Sequence, residues 1–125
     1  TETLADDLFV SPCVYTGGSE TDVVWLTHDL AAGTRGETFC QAFHAGGTCD
    51  QNYASLDLAE IAKDSNDEAD ETKTACHELG HTVGLTHHDS GYQCMISGER
   101  PSTAAQWEHF SDHHRGHIND WFRTH

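Results

Sequence analysis

His77 and His81 stand four residues apart, and Glu78 directly follows the first. On a helix that spacing stacks two imidazoles on one face, one turn apart. Two imidazoles held this way can share one Zn²⁺, at roughly 2.0–2.1 Å each. Gly84, three residues after His81, allows the positive-φ turn that ends a helix and reverses the chain. His87, three further on, can then return as a third ligand. Water takes the remaining position, which is the layout of a catalytic zinc site rather than a closed structural one. Glu78 is placed to act on that water as general base. The chain must therefore build a helix that stops at Gly84 and a turn that doubles back.

The flanking segments fit that requirement. The helix is predicted from about Asp67 to Val83, with Cys76, Leu79 and Val83 on its core side. The acidic run 64–73 precedes it. Acids in a first turn meet the positive end of the helix dipole, and Ser65 with Glu68 has capping-box spacing. The run also permits a Ca²⁺ site but lacks the full EF-hand pattern, so the helix start is the simpler reading. Upstream, 22–28 reads as the clearest strand, 31–36 as a loop, 38–43 as a short strand, and 52–58 as another. Leu4, Leu8 and Phe9 can share one face of a short helix that Pro12 ends, and Gly17-Gly18-Ser19 reads as a loop. Downstream, Ser111-Asp112 is a helix start and Ile118, Trp121 and Phe122 an apolar stripe. His109, His113, His114, His117 and His125 crowd this end. They can form a second metal site, although exposed polar positions on an amphipathic helix explain them more simply.

Charge and cysteines narrow the class. The 125 residues fit one domain, 1–125, and carry a formal charge of −15, with 21 acids against 6 Lys/Arg. That argues against nucleic acid or an anionic membrane surface as partner. No apolar run approaches the roughly 20 residues of a membrane-spanning helix. No leader is recognisable, so the sequence reads as mature or trimmed. Five cysteines indicate an oxidising compartment and a secreted protein. Cys40 and Cys49 flank a segment with Gly46-Gly47 that can close as a loop. A Cys76–Cys94 bond would tie the metal-binding helix to the segment around Met95, worth about 3 kcal/mol by chain entropy. Cys13 is left over. Metal ligation by these cysteines is disfavoured, because no C-x-x-C spacing occurs and Cys76 points about 100° from His77 on a helix.

The stretch His77-Glu78-Leu79-Gly80-His81-Thr82-Val83-Gly84-Leu85-Thr86-His87, followed by a methionine, resembles the metzincin metalloprotease signature at all its fixed positions. It is similar above all to small secreted bacterial metzincins of the snapalysin type. Those enzymes use Asp where this chain has His87. His88 and Asp89 follow the third ligand position, and no Tyr stands two residues after Met95. The resemblance implies an α+β fold: a small twisted mixed sheet packed on the active-site helix, plus a C-terminal helix. It implies that Met95 forms a turn packed beneath the three imidazoles, and that the strand at 52–58 is the sheet edge lining the cleft. There an extended peptide can add as a further strand. It implies elements missing from the N-terminus. The function expected is that of a monomeric, secreted zinc endopeptidase acting on peptide or protein substrates. The metal is held by His77, His81 and His87, and Glu78 is the catalytic base. A zinc-binding module without proteolysis, and a zinc hydrolase of a non-peptide amide or ester, are the competing readings.

Overall fold

The computed structural model describes residues 14–15, 21–63, 65–87, 93–99, 102 and 104–124. Three strands come first: β1 (Val23–Thr27), β2 (Gly36–Phe43) and β3 (Cys49–Leu56). Helices α1 (Leu58–Ile61) and α2 (Asp67–Thr82) follow, then a 3₁₀ turn at Ala105–Glu108 and helix α3 (Asp112–Thr124). The arrangement is α+β, as expected. The N-terminal helix, the glycine loop at 17–19 and Cys13 lie outside the described residues.

The sheet is mixed, in the order β1-β3-β2. β3 runs parallel to β1, with Val23 opposite Asn52 and Thr27 opposite Leu56. It runs antiparallel to β2, with Gly36 opposite Leu56. The register slips between Cys40 and Phe43, where the Cys40–Cys49 disulfide staples the hairpin with Cα atoms 5.7 Å apart.

This order overturns the expectation that 52–58 is the sheet edge. β3 is the middle strand, and Gln51, Ala54, Ser55 and Leu56 are all buried along it. The edge position was what the family resemblance implied, but β3 has a strand on each side and α2 packed against the sheet. The strand also ends sooner than expected. Asp57 accepts the backbone N–H groups of Glu60 at 2.9 Å and Leu30 at 2.8 Å, so it caps α1 and puts Leu58 in a helix. Those N–H donors hold its carboxyl below the usual range.

The core lies between α2 and the tail. Leu79, Cys94, Met95, Phe110 and Ile118 form one buried cluster, with Cys76, Val83 and Leu85 against it. Gly80 belongs to this packing although it has no side chain. A Cβ there would collide with the Met95 sulfur and stand 3.0 Å from Phe110 Cε1. The second disulfide, Cys76–Cys94, joins α2 to the turn carrying Met95, with Cα atoms 5.9 Å apart.

α3 begins as expected, with Ser111 Oγ accepting the His114 N–H at 3.1 Å. Its predicted stripe is corrected at the far end. Ile118 is buried, but Trp121 and Phe122 are 42% and 50% exposed and pack on each other, ring centroids 5.1 Å apart. The inward row is instead His114 and Ile118, four residues apart on one face. His114 thus departs from the expected exposed role, whereas His109, His113 and His117 are exposed.

The Cys76–Cys94 bond closes a separation of 18 residues inside this cluster. Replacing both cysteines with alanine should lower unfolding free energy by about 3 kcal/mol in urea titrations. The paired change at Cys40 and Cys49, which closes a shorter loop at the sheet margin, should cost less.

Candidate metal centre

α2 starts on acids, Asp67, Glu68 and Asp70, as the dipole favours. The capping box expected from Ser65 and Glu68 does not form. Asn66 is the N-cap, Ser65 donates to Glu99 Oε1 at 3.4 Å, and Asp67 Oδ1 accepts the Glu68 N–H at 3.0 Å. At the other end Gly84 takes φ +82°. Its N–H reaches His81 O at 3.1 Å, and the Leu85 N–H reaches Gly80 O at 3.0 Å. This is a Schellman closure, for which a left-handed residue at position 84 is the requirement.

The closure does more than end the helix. It turns the Leu85 carbonyl back toward the last turn, where it accepts a hydrogen bond from His81 Nδ1 at 2.8 Å. His77 Nδ1 donates to the Cys94 carbonyl, also at 2.8 Å. A carbonyl only accepts, so each Nδ1 carries a proton, and in the neutral ring the lone pair is then on Nε2. That is the tautomer a metal ligand requires. Carbonyls, not carboxylates, therefore hold the two helical imidazoles; His88 and Asp89 lie outside the described residues.

His77, His81 and His87 converge. Their ligand atoms all lie within 4.8 Å of one another, and their ring centroids are 4.6–5.1 Å apart. His77 is buried, His81 half-buried and His87 exposed, so the group opens to solvent on one side. Among the described residues this is the one grouping of three or more His, Cys, Asp or Glu side chains suited to a metal ion. The acidic run assembles no such group among its described members. Burial pushes the His77 imidazole down to about 4, so it is neutral and ligand-competent across the physiological range.

Glu78 is buried and faces β2. Its Oε2 accepts the Thr38 hydroxyl at 2.6 Å, and Thr38 also lies 3.2 Å from the Glu78 carbonyl. Opposite it, Gly36 leaves the room the carboxylate occupies. A Cβ at 36 would stand 2.5 Å from Oε1 and 2.8 Å from Cγ. Burial raises the Glu78 carboxyl pKa, opposed by the Thr38 bond and by the charges of His81 and His87.

Met95 is fully buried in the turn after Cys94, against Gly80, between the positions of the two helical histidines. Lys73, one turn before His77, is also buried. Its ammonium donates to the carbonyls of Ile96 at 2.5 Å and Gly98 at 2.7 Å. Sequence reading missed Gly36, Thr38, Lys73 and Gly80. Lys73 meets carbonyls 23 and 25 residues further along the chain, and such a partner is a long-range fact.

Comparison with family models, with curated proteins and with solved structures returns no match for this chain.

The His77 shift sets a pH dependence for the metal-free protein. Its folded pKa of about 4 lies below the ordinary histidine value of 6.5. Between those values the unfolded chain binds a proton that the folded chain does not, so stability falls as pH drops from 6.5 to 4. Urea midpoints of metal-stripped protein across this window should decline, and His77→Asn should flatten the decline.

Proposed function

We propose that this chain is a secreted zinc endopeptidase of metzincin type. The observation that carries the reading is the convergence of His77, His81 and His87 beside the buried carboxylate of Glu78. Three imidazoles, two with Nδ1 held by carbonyls, suit zinc better than the hard oxygen-seeking cations. Zinc in that site supplies a Lewis acid and an activated water. Glu78 takes the proton of the attacking water on its carboxylate and passes it to the leaving amine. Burial supports this role, since it makes the carboxylate a stronger base than one in open water. Thr38 holds the carboxylate by Oε2, while Oε1 lies against Gly36.

A peptide is the favoured substrate because β2 is an outer strand of the sheet among the described residues and carries Thr38 against Glu78. An extended peptide can pair along such an edge through its backbone. The two disulfides accord with an extracellular setting. No helix among the described residues is long and apolar enough to cross a membrane.

Zinc-loaded protein should cleave casein, with activity removed by chelator and restored by Zn²⁺. Glu78→Gln should bind zinc as wild type does and lose activity by about 10²–10⁴-fold. Zinc uptake without cleavage of any protein or peptide library would instead favour a binding module, and cleavage of esters alone a non-peptide hydrolase. A second variant tests the placement of the base. Gly36→Ala pushes a methyl into Glu78. It should lower kcat by at least tenfold at unchanged zinc content, and unchanged kcat would show that this contact does not position the base.

A further inference from the structure

Away from the three-histidine centre, α3 presents a second imidazole pair. His113 and His117 are four residues apart on the helix and both exposed. Their Nε2 atoms face each other at 3.2 Å, with ring centroids 4.5 Å apart. Two ring nitrogens at that distance share either one proton or one cation. For ligands 2.0–2.1 Å from a common ion, that separation gives an angle at the metal of about 100–106°, near tetrahedral.

The surroundings keep the pair in place. His114 and Ile118, the next residue after each, are buried, so packing fixes the rotation of α3 and leaves His113 and His117 outward. Gly116 opens the surface beside them, since a Cβ there would meet nothing within 4 Å. Asp112 and Asp120 line the same depression, and each is paired with an arginine one turn on, Arg115 and Arg123. The chain's charge of −15 draws cations generally, but imidazole donors select among them. They favour Cu²⁺, Ni²⁺ and Zn²⁺ over Mg²⁺ and Ca²⁺.

We propose that His113 and His117 chelate a second divalent ion of the zinc and copper class through their Nε2 atoms, independently of His77, His81 and His87. The two ligands clamp one turn of α3 and leave the other coordination positions to water or to an outside donor. The site does not depend on the peptidase reading, because it uses none of those residues.

Metal-stripped full-length chain is dialysed against Zn²⁺ and the bound metal counted, for wild type, H113Q/H117Q and H81Q/H87Q. Wild type should hold one equivalent more than H113Q/H117Q, and H81Q/H87Q should keep that equivalent. Both histidines of the α3 pair are exposed, so circular dichroism should show H113Q/H117Q folded. In parallel, Cu²⁺ added to H81Q/H87Q should give an electron paramagnetic resonance spectrum with nitrogen couplings from two imidazoles, lost when His113 and His117 are also replaced. Equal zinc uptake by wild type and H113Q/H117Q, or a Cu²⁺ spectrum unchanged by their loss, would overturn the proposal and leave the pair a hydrogen bond. Loss of zinc only in H81Q/H87Q would tell against the α3 site while leaving the three-histidine centre intact.

Discussion

Two backbone carbonyls, those of Cys94 and Leu85, decide what the helix histidines can do. A helix brings imidazoles together but leaves each free to flip and to choose its tautomer. The carbonyls remove both freedoms at 2.8 Å apiece. Each carbonyl must itself be held, and the chain holds them by different means. The Leu85 carbonyl is placed by the Schellman closure at Gly84. The Cys94 carbonyl is placed from three sides: by the disulfide to Cys76, by Met95 packed on Gly80, and by Lys73 on the carbonyls just downstream. The core cluster is thus also the support of the site.

Lys73 shows how firmly that turn is fixed. Burial pulls its ammonium down to about 8, and a buried ammonium without partners would be strongly destabilising. Two carbonyl acceptors compensate for its lost water. A neutral residue of similar length would fill the space but leave both carbonyls to find other donors. The lysine thus ties the turn at 96–98 to α2.

Local chemistry made part of this legible in the sequence. The helical pair His77 and His81, the left-handed turn at Gly84 and the two disulfides follow from spacing within a few turns of chain. The failures came where the answer depended on a distant segment. Residues 52–58 read as a strand, and the family resemblance implied a sheet edge, yet β1 and β2 flank β3 on both sides. Trp121 and Phe122 continue the apolar row of α3, yet neither joins the buried cluster. Thr38 is an ordinary strand threonine until β2 lies against Glu78, some forty residues later in the chain. Gly36 and Gly80 are informative only through what a Cβ would strike.

The two glycines also explain why sheet and helix approach where they do. A helix packs on a strand with side chains between them, which keeps backbones well apart. At Gly36 the side chain is absent, and the Glu78 carboxylate occupies its volume while Thr38 binds it. At Gly80, one turn-face away on the same helix, the absent side chain admits Met95. One helix therefore sinks toward the sheet on one side and toward the methionine turn on the other, with the histidines on the face between. Larger residues at either glycine would spread those layers and carry the carboxylate or the turn away from the imidazoles. The α3 pair has no such enclosure: helix spacing supplies two ligands, whereas the three-histidine centre recruits a third from beyond a turn.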